Sequence, residues 1–240
     1  MSLFARYIGI DYSGAATDDS GLSGLRVYVA TPEQDPSEAF APPPESKLSK
    51  SKFWTRRRVA HWLVEQLSGA TPAIVGIDHG FSFPFAYFER HGLAKDWPAF
   101  LNCKPLSGDS HWRRLAEIRT RAKSVFHFGV PGSVAHSTHT GLPWLRHIRL
   151  HTHPRPHFWP FDGWALPPGR SVLAEVYPAL WSAEFAKPSE RTQDQHDAYS
   201  IAAKLKALDA AALLPQYANP PLSAPERATA DVEGWIFGVR

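Results

Sequence analysis

The chain has 240 residues, 43% of them hydrophobic and 20% charged, with a formal net charge of +3 at neutral pH and a sequence pI near 9.0. That length can bury a sizeable core, in one large domain or two small ones, and the mild basicity is weak support for a polyanionic partner. The single cysteine, Cys103, excludes an internal disulfide and argues against a cysteine zinc site, no apolar run approaches a membrane span, and the first residues lack a signal-peptide core, so a reducing cytoplasm is expected.

Tyr7-Ile8-Gly9-Ile10-Asp11 reads as a short buried strand that ends on a carboxylate and breaks into a loop at Ser13-Gly14. Ile8 and Ile10 fill one face, while Gly9 and Asp11 share the other. With no side chain at Gly9, room for a metal ion and a phosphate is expected beside the acid. Leu25 to Ala30 alternates like a second strand, antiparallel to the first. Residues 31–46 are a Pro-, Ser- and Glu-rich excursion. Lys47 to Arg58 mixes basic side chains with Phe53 and Trp54. That mixture suits a backbone-and-stacking platform for nucleic acid, although a solvated loop leading into a helix whose Trp54 is core is the favoured reading. Helical spacing from Trp54 through Leu67 stops at Gly69 and Pro72. Ile74-Val75-Gly76-Ile77-Asp78 then nearly repeats the opening strand, apolar enough to be covered on both faces.

Residues 81–123 read as mainly helical, with Pro84 and Pro98 as starts, and residues 124–170 as histidine- and proline-rich loop with short strands. Ser171 to Tyr177 is a third buried strand, halted by Pro178. Thr192 and Gln195 form a capping box that opens the last clear helix, which continues through Ile201, Leu205 and Leu208. The order of elements predicts an α/β fold with a mixed central sheet: antiparallel opening strands, parallel later strands and flanking helices. A single domain over residues 1–240 is expected, carrying insertions at about 81–170.

Parallel strands bring their carboxyl ends to one edge, where ligands sit. Asp11 and Asp78 end two such strands, and Glu175 lies near the end of the third, on a face shared with Leu173 and Tyr177. Asp194 and Asp197 share one face of the late helix, and Asp197 leads into its apolar stripe. Acids that converge raise one another's pKa unless cations neutralise them. Two Mg²⁺ or Mn²⁺ ions held by oxygen ligands alone would do so and would make a phosphoryl-transfer site. Each acid also has a plainer reading. Asp11 and Asp78 can cap turns, and Asp194 suits the helix dipole without any metal.

On Gly9-Ile10-Asp11, Gly76-Ile77-Asp78, Glu175-Val176-Tyr177-Pro178, Asp194-x-x-Asp197-Ala198 and the closing Glu233-Gly234-Trp235-Ile236-Phe237-Gly238, the chain resembles the bacterial proteins described as predicted RNase H-like nucleases (domain of unknown function family 429). The resemblance implies a ribonuclease H-like fold and two-metal hydrolysis of phosphodiester bonds in nucleic acid. Asp11, Asp78, Glu175 and Asp197 would be catalytic metal ligands, with Asp194 an outer or alternate ligand. The late acid-x-x-acid helix also looks like that of Holliday-junction resolvases. His79-Gly80-Phe81-Ser82-Phe83-Pro84 departs from the family, whose members usually carry an apolar Pro-Leu-like segment after the second aspartate.

Two rival functions remain at this stage. Asp11-Tyr12-Ser13-Gly14 and Asp78-His79-Gly80 also resemble the Asp-x-Gly loops of actin-like kinases, which need a hairpin after each loop. A nucleic-acid-binding module of the same fold without turnover is the other. Arg113, Arg114, Arg119, Arg121 and Lys123 form a second basic cluster, which an exposed helical face explains equally well. In the 127–157 segment, His136, His139, His147, His151, His153 and His157 are numerous enough to hold a transition metal. Alternation would put His151 and His153 on one face of an extended stretch. His79 and His196 are candidate proton carriers or hydrogen-bond donors. Oligomeric state is open, a dimer included.

Overall fold

The computed structural model describes residues 2–13, 17–42 and 52–240. β1 (Arg6–Asp11) lies between β2 (Arg26–Ala30) and β4 (Ala73–Ile77), antiparallel to the former and parallel to the latter. A two-residue strand, β3 (Ser37–Glu38), extends the sheet beyond β2. On the other side β6 (Val172–Glu175) pairs parallel with β4, and β5 (His157–Trp159) pairs parallel with β6. The result is one six-stranded mixed sheet in the order β3-β2-β1-β4-β6-β5. The antiparallel opening and parallel later strands agree with the sequence pattern.

Strand alternation sorts the core into two layers. Ile8, Ile10, Val75, Ile77 and Leu173 point to one face. There α1 (Arg56–Leu67) and α5 (Ala135–His151) cover them with Val59, Leu63, Leu142, Leu145 and Ile148. Tyr7, Ile74, Val172 and Ala174 point to the opposite face, where α6 (Gln193–Ala210) supplies Ile201, Leu205 and Leu208. The α6 start is the expected one: Thr192 Oγ1 accepts from Gln195 N at 3.2 Å, and Gln195 Oε1 accepts from Thr192 N at 2.9 Å. No described helix is long and apolar enough to cross a membrane.

Two expectations are corrected. Residues 81–123 are mostly irregular chain around three short helices, α2 (Phe85–His91), α3 (Trp97–Phe100) and α4 (Leu115–Thr120). The prolines were sound markers, since Pro84 precedes α2 and Pro98 sits in the first turn of α3. The histidine-rich stretch is not loop, because α5 runs through it for 17 residues with Pro143 inside. Pro143 leaves the His139 carbonyl without its helical donor, yet the buried series Ala135, Thr138, Leu142, Leu145 and Ile148 holds the helix down. His151 therefore ends a helix and does not alternate with His153 along a strand. Two further helices, α7 (Leu214–Tyr217) and α8 (Ala224–Glu233), follow α6.

Candidate functional site

The two Gly-Ile-Asp strands lie side by side, with Gly9 opposite Gly76 and Ile10 opposite Ile77. Asp78 stays in step with this pair through its N–H, which donates to the Ile10 carbonyl at 2.9 Å. Alternation places Asp11 beyond Gly9 and Asp78 beyond Gly76, on the face that α6 covers. The glycines decide how closely α6 comes. A Cβ at Gly9 would stand 2.1 Å from the Ala198 carbonyl oxygen and 2.7 Å from the Ala202 nitrogen. One at Gly76 would meet the Ile201 side chain at 2.5 Å. The space beside Gly9 is thus filled by helix backbone and not left for an ion, which corrects the sequence-based expectation. Its effect on the site is indirect, because it lets the first turns of α6 bring Asp194 and Asp197 down to the strand ends.

Asp11, Asp78, Asp194 and Asp197 are each partly exposed, set into the sheet edge but open to solvent on one side. Burial pushes the Asp11 carboxyl up to about 9, and the charges of Asp78, Asp194 and Asp197 push the same way. Arg26, opposite Asp11 across the β1–β2 pair, pulls the other way. Its guanidinium is shared with Glu38 at 2.8 Å, and Glu38 in turn accepts from Gln195 at 2.8 Å. Asp78 is pushed up to about 8 by burial, then by Asp197 and Glu175. Burial also raises Asp197, which Asp194 reinforces, while a 2.9 Å hydrogen bond from Gln193 and the charges of His196 and Lys187 oppose it. Among the described residues no ion pair includes any of these four acids.

Glu175 is placed differently. It pairs with Ile77 in the β4–β6 register and shares the face of Leu173, opposite to that of Asp11 and Asp78. Arg114, 1% exposed, grips it from the start of α4, with Nη1 donating to Oε2 at 2.7 Å and Nη2 to Oε1 at 2.6 Å. Oε2 also accepts the Phe81 N–H at 3.0 Å. Burial pushes the Glu175 carboxyl up, and the guanidinium and the Phe81 N–H pull it back. Arg114 Nε donates to Glu117 Oε1 at 2.8 Å, and Nη1 also reaches the Glu233 carbonyl at 3.4 Å. Arg114 is therefore no part of an exposed basic face, which corrects that alternative for this residue.

The closing motif belongs to the same cluster. Glu233 accepts from Phe85 N at 2.6 Å and from Leu115 N at 2.7 Å, so one carboxylate closes the N-termini of α2 and α4. Trp235 and Phe237 behind it are fully buried. The cavity beside Asp78, lined by His79, Arg114, Glu175 and Tyr177, has only about 30 Å³ and holds no more than a water or so.

Sequence reasoning named the four aspartates but missed Arg114 as the partner of Glu175. The sole hint was the cost of burying a carboxylate alone. His79 is buried with Nδ1 2.9 Å from the Gly80 carbonyl, and burial lowers its pKa to about 4. His196 is buried as well and places Nε2 3.0 Å from the Ser182 carbonyl. Both serve as hydrogen-bond donors to backbone. Trp54 is core, and Arg57 and Arg58 are held by Asp19 and the Phe53 carbonyl. Lys47 and Lys50 of that basic run lie outside the described residues. No family model matches the chain, and comparison with curated proteins and with solved structures gives no match.

Proposed function

We propose that the chain is a metal-dependent nuclease of the ribonuclease H-like type, hydrolysing phosphodiester bonds at the edge where Asp11, Asp78 and Asp197 meet. The observation that carries this reading is a cluster of carboxyl groups without a cationic partner. Asp11 and Asp78 end neighbouring parallel strands, both are raised several pH units by burial and by other acids, and neither has an ion-pair partner among the described residues. Divalent cations relieve such a cluster, and an all-carboxylate donor set suits Mg²⁺ or Mn²⁺. Asp11, Asp78 and Asp197 would hold the ions, with Asp194 at the rim. A pair of ions supplies an activated water and stabilises the leaving oxygen.

The protein's own part is positional. The β1–β4 pairing fixes the separation of Asp11 and Asp78, and the glycine step fixes the depth at which α6 presents Asp197. Glu175, its oxygens already taken by Arg114 and Phe81, is assigned a positioning role: it ties the chain that follows Asp78 to β6. The mixed strand order, antiparallel first and parallel later, supports the same family reading. The loop after Asp78 runs into α2 and not into a hairpin, which weighs against the actin-like kinase alternative.

Incubation with single-stranded, duplex and branched DNA and RNA in Mn²⁺ tests the proposal. Cleavage that depends on the ion and is lost in Asp11→Asn and Asp197→Asn is expected. Tight binding without cleavage in any divalent metal would support the binding module instead, and stabilisation by ATP with Mg²⁺ but not by Mg²⁺ alone would support the kinase reading.

A further inference from the structure

The basic side chains around α6 are of two kinds. Arg26 is paired with Glu38 at 2.8 Å, Lys204 with Glu184 at 2.6 Å and Lys206 with Asp35 at 3.1 Å. Lys187, whose charge reaches Asp197, has no carboxylate partner among the described residues. Its Nζ donates instead to Gln193 Oε1 at 3.0 Å, and Gln193 Nε2 donates to Asp197 Oδ1 at 2.9 Å. An ammonium can only donate and a carboxylate only accept, so a single orientation of the amide serves both. An amide acceptor fixes the ammonium without cancelling its charge and leaves its other N–H groups for a second acceptor. The loop that carries Lys187 is anchored on both sides. Before it, Phe185 meets the Tyr199 ring edge-on at 6.1 Å, and the Ser182 carbonyl lies 3.0 Å from His196 Nε2. After it, the Arg191 guanidinium lies over the same Tyr199 ring, 3.9 Å from its centroid. Lys187 is exposed, yet both its chain and its ammonium are held beside the acids.

We propose that Lys187 is a substrate-binding residue of the carboxylate edge, donating to a non-bridging oxygen of a nucleic-acid phosphate, and that Gln193 positions it; the assignment rests on the nuclease reading of that edge. A row of acids repels a polyanion, so a strand drawn across it needs a cation of the protein's own close by. Lys187 stands one amide away from Asp197 and is the basic residue there whose charge is not already answered. As a compact point charge on a flexible stem it can follow a phosphate through a range of strand geometries. A carboxylate at position 193 would pair with Lys187 and withdraw it, as Glu184 and Asp35 do for Lys204 and Lys206 farther along α6. The amide keeps it available.

Fluorescence anisotropy with labelled oligo(dT) and oligo(U) in Ca²⁺, over a range of NaCl concentrations, tests the role of Lys187. In Lys187→Met the slope of log Kd against log salt is expected to fall by about 1, and Lys187→Arg should restore it. Gln193→Met, which frees the ammonium without removing it, should weaken binding by less than Lys187→Met. Lys206→Met removes a lysine already paired with Asp35 and should bind like the parent. Lys187→Met should melt with the parent, its side chain being exposed. A slope unchanged in Lys187→Met would overturn the proposal. So would an equal loss in Lys206→Met, and so would a parent that binds neither oligonucleotide. A parent that binds through Lys187 but cleaves in no divalent metal would keep Lys187 as a phosphate contact and remove the nuclease reading instead.

Discussion

Two groups of acids stand at the same edge of the sheet, on opposite faces, and they differ in what meets their charge. Glu175, Glu117 and Glu233 are answered from within: Arg114 bonds the first two, and backbone N–H groups of Phe81, Phe85, Arg114 and Leu115 supply the rest. Asp11 is pushed up by Asp78 and Asp197, and Asp78 by Asp197. Arg26 draws on Asp11 but its guanidinium is shared with Glu38, and Gln193, His196 and Lys187 ease Asp197 without an ion pair among the described residues. A fold that can bury an arginine against one set of carboxylates could have done so for the other. The difference separates acids that hold the structure together from acids left open to a cation supplied from outside.

Removing the internal counter-charge should have the largest effect. Arg114→Met would strand Glu175 and Glu117 in a buried setting, and losing one partner of a buried pair costs about 3–5 kcal/mol. Urea unfolding should show a loss of that size whether or not divalent ion is present. A loss under 1 kcal/mol would mean that the two acid groups are not so different. Gly9→Ala comes next. Its Cβ would be driven against the Ala198 carbonyl, a backbone atom that cannot rotate away, and overpacking of this kind costs about 1–3 kcal/mol. Because α6 must lift to admit the methyl group, Mn²⁺ affinity should fall with stability. Gly76→Ala, whose nearest contact is the Ile201 side chain, should cost less on both counts.

The contrast also shows what could be read from the sequence. Both Gly-Ile-Asp strands, their parallel order and the capped start of α6 were legible, because period-two alternation and the Thr192–Gln195 box are local signals. The purpose of Gly9 was not, since its partner Ala198 is far away in the chain and only packing brings them together. Arg114 sits among other basic residues and looks like surface, and nothing local marks it as buried. In α5, Pro143 and the histidines hide a helix whose apolar series, from Ala135 to Ile148, was present all along. Ser223-x-x-Glu226 is a capping box of the same local kind and opens α8.

The subtlest way to sharpen the comparison is to neutralise one open acid. An aspartate whose folded-state pKa of about 9 exceeds the ordinary 3.8 contributes stability that is complete only below pH 3.8 and is lost as the pH climbs toward 9. The metal-free parent should therefore fall behind Asp11→Asn as the pH rises. The gap should be near zero at pH 4 and on the order of 2 kcal/mol by pH 8, less than the bare shift implies because Asp11 remains partly open to solvent. Asp78→Asn should follow the same course with a smaller gap, its carboxyl being raised only to about 8. Added Mn²⁺ should reverse the ranking by stabilising the parent and leaving the asparagine variants nearly unmoved. An Asp11→Asn protein less stable than the parent at pH 8 without metal would show that the fold itself uses that charge. The distinction between the two acid groups would then fail at its open end.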